Sequence, residues 1–597
     1  MTRGIRQAGG PVAIAAAVIG VWEIALRLAK VPGYVAPLPS AIVQKTITDW
    51  PVLATGIATT LAEAVAGFLL GNLTGFALAV LLFYRPALRR FAMLPMVAAN
   101  SVPAVAFAPV IILWLGSGMA SKIVLVAFIT AFIMLQNELQ GLRQVDAQAV
   151  DVLRSFGARE RRIFWVLRFP ASLPYVFVAL RLGSIRSVII AIVAEMLGAY
   201  RGIGWVIFET TASMDYSRLW AAVAAASVAG VMFFALVSAF ERRWVWWHVS
   251  VSGTSRRTRQ NKGDGMSIKR LGGMAVAMAL LMASTAHADD KVSIRLKWLH
   301  QAQFAGYYVA KDKGFYKEEK LDVTINPGGP QLVAENLVAS GSDDFAQGGG
   351  METTLVGRDK GLPLVAIAAV FPKTPVLLVT KKDSGISKLE DFPGKKVSMW
   401  YTGTQYIVRA MLKNKGVDPA SITEVPQPVT MAPFVRGEVA VACVTVFNEL
   451  QTLISEGVGD LVLFDPADYG IVIPRDTIVT TDKMIKERPE VVQRFLRASL
   501  RGWKYAIENQ PEAVEITLKQ NPALKKDHQT IMMREVAKLM LWGPSKDKGV
   551  GYLDPKTAEF SMTFLLDNKQ LTKPVPLTEA TNARFWNEVP AALKVVR

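Results

Sequence analysis

Cysteine is all but missing: Cys443 stands alone in 597 residues. A single thiol excludes an internal disulfide framework and any multi-cysteine zinc site. Histidine is nearly as scarce. His248, His287, His300 and His528 are scattered, with no H-E-x-x-H pair, which excludes the metalloprotease pattern. No G-x-x-x-x-G-K-[ST] run occurs, so the chain carries no P-loop and is no ATPase itself. Acidic residues are the scarcer charge, 49 against 67 Lys and Arg, for a net +18. That excess does not point to nucleic acid. In the first half the arginines sit in short clusters between apolar runs, where membrane proteins place cytoplasmic charge.

Apolar residues are abundant, 51% of the chain with a mean hydropathy of +0.30, and unevenly spread. Before Trp247 there are long runs with few charges; after Asp289 the mixture is that of a soluble α/β protein. A chain of this length implies two or more domains. Crossing a bilayer core takes roughly 20 apolar residues. Such runs lie near Pro11–Leu28, Ile57–Phe83, Met93–Leu115, Ile123–Leu135, Tyr175–Leu197 and Leu219–Phe240. The basic connections Tyr84–Arg90, Glu138–Arg168 and Glu241–Trp244 all fall on one side if both ends of the six-helix unit are cytoplasmic. Glu23, Arg181, Arg186 and Glu195 fall inside these runs, as functional charges or as snorkelling side chains near the ends.

A second start lies mid-chain. "MSIKRLGGMAVAMALLMASTAHADD" (Met266–Asp290) has a basic n-region, a short apolar run and the small-residue triplet Ala286-His287-Ala288. That is the layout of a secretory signal. It divides the chain into a membrane domain (1–250), a connector with internal signal or anchor (251–288) and an exported domain (289–597). Either cleavage occurs after Ala288, or the segment stays as a seventh crossing and tethers the exported domain to the membrane.

The exported part alternates strand-like and helix-like stretches, which implies mainly parallel sheets with helices on both faces. Strand-like runs are Val292–Trp298, Leu321–Gly328, Leu362–Phe371, Lys395–Trp400, Val441–Phe447 and Asp460–Asp465. Two lobes joined through Thr374–Lys382 and Arg475–Lys483 would enclose a cleft. Ligands of such sheets bind beyond the carboxyl ends of the strands. Those ends supply Trp298, His300, Gln303, Phe304, Tyr307 and Tyr308, then Trp400 and Tyr401, then Phe447, Asn448 and Glu449, then Asp468 and Tyr469. Aromatic walls suit a flat heterocycle, and a carboxylate accepts paired N–H bonds. Each has a plainer role: Tyr307 in a core, Glu449 at a helix start, His300 as a cap. Gly348 and Gly349, in "AQGGGMETT", offer N–H groups to an anion or carbonyl, or only a tight turn.

Two resemblances join these readings. "DVLRSFGARERRIFWVLRFPASLP" (Asp151–Pro174) resembles the coupling loop of ABC-importer permeases, with Asp151-Val152-Leu153 in place of E-A-A, Gly157 matching, and Leu167-Arg168-Phe169-Pro170 for I-x-L-P. "AEMLGAYRGIGW" (Ala194–Trp205) resembles the end of helix five in permeases for sulfonates and thiamine precursors. "RLKWLHQAQFAGYYVAKDKGFYKEEKLDVTINPGGP" and "DYGI" resemble solute-binding proteins of the thiamine-pyrimidine family. That family also holds a fungal enzyme with a cysteine-rich iron motif, which a lone Cys443 does not match. The resemblance implies a multi-domain chain: an all-α six-helix transmembrane ABC permease, then a two-lobed α/β periplasmic-binding-protein fold of type II. It implies a bacterial inner-membrane location with the receptor in the periplasm, a separate ATPase acting on Asp151, Gly157, Leu167 and Pro170, and a second permease copy. It further implies a small aromatic solute, a pyrimidine precursor of thiamine or a riboflavin-like compound, with no cofactor, metal or catalytic group. The alternatives are a sulfonate or nitrate importer and a membrane-anchored pyrimidine synthase.

Overall fold

The computed structural model describes residues 14, 17–244 and 289–597, except 32, 34, 35, 117, 200, 213, 330, 331, 402 and 429. The connector with its internal signal, including Ala286 and Ala288, lies outside the described residues, as does the start of the first apolar run. The helical half then runs α1 (Pro39–Thr48), α2 (Trp50–Tyr84), α3 (Pro86–Ser101), α4 (Ala104–Leu115), α5 (Met119–Arg143), α6 (Ala147–Ser155), α7 (Phe169–Gly198), α8 (Ile203–Ala212) and α9 (Tyr216–Trp244).

Among the described residues four helices are long and apolar enough to cross a membrane: Trp50–Tyr84, Met119–Arg143, Glu160–Gly198 and Tyr216–Trp244. The run Met93–Leu115, expected as one helix, is two. Pro103 has no N–H to continue α3 and biases Val102 away from helical backbone, so α4 starts afresh behind it. The run around Ile123–Leu135 extends in the other direction, to 25 residues.

Helices α2 and α5 form the central pair. Gly67, Gly71 and Gly75 make a stripe on α2 where a Cβ would run into Val126, Ala127, Thr130 and Ala131 of α5. In a bundle whose outer surface is apolar, such backbone contact supplies the dispersion energy that holds helices together. At one end of the bundle Arg168 lies over Phe83 at 4.7 Å, beside the loop that carries α6. At the other, Arg218 at the start of α9 pairs with Asp49 ahead of α2, and α8 lies there too.

The second half is two five-stranded sheets. Its strands are β1 (Asp290–Leu296), β2 (Leu321–Asn326), β3 (Phe345–Gln347), β4 (Leu364–Phe371), β5 (Val376–Lys381), β6 (Lys396–Met399), β7 (Thr423–Pro426), β8 (Val441–Thr445), β9 (Leu461–Phe464) and β10 (Arg475–Thr481). Lobe one has the order β2-β1-β3-β10-β4 and lobe two β7-β6-β8-β5-β9. The chain crosses to lobe two at β5 and returns at β10, and each of these strands runs antiparallel to its neighbours. The other pairings are parallel. The pattern is the expected two-lobed binding-protein architecture. Strands β3 and β7 were not foreseen. They are three and four residues long, too short for a periodicity, and β7 ends in Pro426, tolerable because it is an edge strand. Helix Pro489–Glu508 lays Trp503 against lobe one, where Gly306 leaves room for the indole.

Candidate ligand cleft and its neighbours

β1 and β6 end on facing sides of the gap between the lobes, and each delivers a tryptophan there. Trp298 and Trp400 meet edge to face with ring centroids 6.2 Å apart. Gln303, Phe447, Asn448 and Glu449 also line the cavity, together with Lys297, Gln301, Val376, Thr404, Thr445 and Arg475. The cavity measures about 40 Å³, enough for a water or two and too small for a heterocycle.

Its polar groups are mostly spoken for. Lys297 pairs with Asp476, whose other oxygen accepts from Gln303 Nε2 and Gln347 Nε2, both at 2.7 Å. Burial pulls the Lys297 ammonium below its ordinary pKa, against the pull of Asp476. Asp476 holds this hub with φ +53, in the left-handed region that costs a non-glycine residue about 1–2 kcal/mol. Arg475 pairs with Glu352, and burial lowers its guanidinium to about 10. Glu449 accepts from Thr445 N (3.0 Å), Thr445 Oγ1 (2.6 Å) and Asn448 Nδ2 (2.6 Å). Burial still raises its carboxyl above 4.5, the hydrogen bonds opposing. Asn448 Oδ1 meets His528 Nε2 at 2.8 Å, a contact from the helix Lys526–Met540. The indole Nε1–H of Trp400 is buried without a partner among the described residues.

The other expected cleft residues go elsewhere. Phe304 and Tyr307 are fully buried in lobe one, Tyr307 edge-on to Trp503 at 5.8 Å, because the inner face of helix Ala305–Asp312 packs on Pro489–Glu508. His300 bonds Tyr308 Oη at 2.9 Å. Gly348 N–H donates to Thr477 O and Gly349 N–H to Glu335 Oε1, so neither is offered to a ligand. Asp468 is exposed, and Tyr469 lies under Lys415 at 5.5 Å. Tyr401 turns from the cavity toward α8. Lys297 and Arg475 were not anticipated. A basic residue directly before a strand-end tryptophan, and the Arg475-Asp476 pair opening a strand, are the signals that mark them.

The loop at the far end of the bundle is built as a helix, a turn and a helix. α6 ends at Ser155, and Gly157, two residues on, adopts φ +75 and turns the chain. Asp151 on α6 is exposed. A proline usually ends a helix, yet here helix runs through Pro170, from Glu160 to Gly198. Phe164–Arg168, with Leu167 in it, forms a π-turn that removes the clash between the proline ring and the preceding turn. Phe156, Trp165 and Val166 stand exposed there, at 83%, 57% and 61%.

Residues 67–246 match the family described as binding-protein-dependent transport system inner membrane component. The formylaminopyrimidine transport permease protein ThiX of Halalkalibacterium halodurans is 30% identical over 228 residues, 38% of this chain and 91% of that one. The chain belongs to this family of importer permeases. Residues 301–513 match the NMT1/THI5-like family, so the permease is fused to a binding domain of that type. The formylaminopyrimidine-binding protein of the same organism is 28% identical, covering 40% of this chain and 72% of its own. A 4-amino-5-hydroxymethyl-2-methylpyrimidine phosphate synthase of Legionella pneumophila is also 28% identical, covering 40% and 75%. Its likeness to permeases of ABC import systems implies an ATPase partner.

Proposed function

We propose that this fusion imports a small aromatic heterocycle bearing N–H donors, a pyrimidine precursor of thiamine before a riboflavin-like compound. One observation carries the reading. Two indoles from opposite lobes face each other, with an unpaired Trp400 Nε1–H and the Glu449 carboxyl on the same wall. An aminopyrimidine presents the complement: a ring nitrogen that accepts, an amino group that donates, and two faces for stacking. Gln303 and Asn448 complete its polar surround. An anion such as a sulfonate or nitrate would need a cation, and both Lys297 and Arg475 already carry carboxylate partners.

In this reading residues 1–250 are a six-crossing inner-membrane permease that works as a pair, 251–288 carry the chain back across, and 289–597 are a periplasmic receptor. The exposed apolar side chains beside Gly157 receive the ATPase. The chain transports and does not catalyse; the synthase relative supplies the competing view. Calorimetry and thermal shift on the full chain, against aminopyrimidines, thiamine, riboflavin, taurine and nitrate, test it. An aminopyrimidine at about 100 times its Kd adds roughly 2.7 kcal/mol. Response to taurine or nitrate alone refutes the stacking cleft, and turnover of a bound pyrimidine refutes the transport role.

A further inference from the structure

Three ionisable side chains meet inside the outer end of the bundle: Glu63 of α2, Lys122 of α5 and Glu195 of α7, each at most 2% exposed. The Lys122 ammonium acts on both carboxyls, and its Nζ also donates to Gly198 O at 2.9 Å. Two acids to one base leave an acid over, in surroundings where an unmatched charge or acceptor is costly. Glu195 is well held. Its Oε1 accepts from Thr60 Oγ1 at 2.7 Å and its Oε2 from Gly204 N at 2.7 Å. Glu63 is not: its Oε2 is buried without a hydrogen-bond partner among the described residues.

That carboxyl borders a recess of about 400 Å³ between α2, the start of α5 and the turn after α7. Ala58, Ala62, Met119 and Ala199 make much of its wall apolar, and Arg201 stands exposed at its rim. Arg201 also borders a second cavity, of about 580 Å³, between α8 and lobe two. The binding domain sits close over this end. At the turn before α5, a Cβ on Gly116 would come within 3.2 Å of the Glu438 carboxylate of lobe two. One guanidinium thus stands between the domain boundary and the buried carboxyl.

We propose that this recess is a second solute site, in the permease itself, for the N–C–N edge of an aminopyrimidine or another amidine-like group. This rests on the import reading above and not on the tryptophan cleft. Glu63 Oε2 accepts an amino N–H, and Arg201 donates to the ring nitrogen beside it. The guest supplies the donor that the bundle withholds from Glu63, so a solute without N–H groups gains nothing there. The size of the recess suits a single heterocycle. Its walls are otherwise apolar, and a grip through one buried carboxyl lets the guest leave again.

The test is equilibrium binding of radiolabelled 4-aminopyrimidine to the full chain in nanodiscs. Wild type should bind two equivalents per chain, and Trp400→Ala should keep one. Adding Glu63→Gln to Trp400→Ala should weaken the remaining site about tenfold or more. Glutamine keeps the size of Glu63 and brings a donor for Glu195, so a Glu63 that only supports the bundle tolerates the change. Met119→Trp, which fills the recess from its rim, should remove the same equivalent without altering any charge. Acetamidinium, which has the N–C–N edge and no ring to stack, should compete at this site alone. Binding that Glu63→Gln weakens and Trp400→Ala leaves untouched in wild type supports the recess and refutes the tryptophan cleft. The proposal is overturned if Trp400→Ala leaves no binding, or if Glu63→Gln and Met119→Trp spare what it leaves.

Discussion

Trp298 and Trp400 reach the cleft from different lobes, so each supplies one face to whatever separates them. Replacing either with alanine should weaken solute binding about tenfold or more, measured by calorimetry; Trp400→Ala should also cost stability, since that indole is buried in the core of lobe two. Glu449 belongs to the same scale. Burial raises its carboxyl above 4.5, so the fold favours the protonated form. The stability this confers is full below that ordinary value and is lost as pH rises through the raised one. Melting curves of Glu449→Gln should therefore gain on wild type as pH climbs through this window. Affinity for an amino-bearing solute should move the opposite way, rising with pH in wild type as the carboxylate forms and staying flat in the variant. At this scale the sequence was half legible. Trp298 and Trp400 were readable because strand ends point at clefts; Phe304 and Tyr307 were not, because an aromatic following a strand looks the same whether the next helix turns it in or out. Arg475 is hidden by needing Glu352, a partner 123 residues away.

Between elements, the strongest local demand is the glycine stripe of α2. A Cβ on Gly71 would strike Ala127 and Thr130. Gly71→Leu should force α2 and α5 apart and destabilise the permease by at least about 1–3 kcal/mol, seen as loss of a monodisperse peak in detergent. Leu70→Ala, on the exposed side of the same helix, should be silent. The apolar runs announced the long helices by length, yet two proline effects escaped that reading in opposite senses. Pro103 splits a run that hydropathy joins. Pro170 fails to end a helix that the usual rule would stop, since a π-turn absorbs its ring. Hydropathy counts residues and is blind to which carbonyl a proline faces. The segments that hold β5 and β10 were readable only as the joins between the lobes, whereas β3 and β7 owe their existence to neighbours.

For the whole molecule, the loop around Gly157, where the proposed reading puts the ATPase, and the binding domain sit at opposite ends of one bundle, so α2 and α7 span the distance between them. Gly157 adopts φ +75 with open space around it. Gly157→Val consequently tests backbone shape alone, at a strain of about 1–2 kcal/mol. It should leave solute affinity intact and lower ATPase recruitment or stimulation, read by pull-down and phosphate release.

The touching indoles have a consequence in time. The free space of about 40 Å³ between the indoles is smaller than a heterocycle, so in the proposed reading solute is held only in a wider form of the cleft. Apparent affinity is then the intrinsic affinity diluted by the rarity of that form. Capture becomes a matter of waiting for a door and not of collisions.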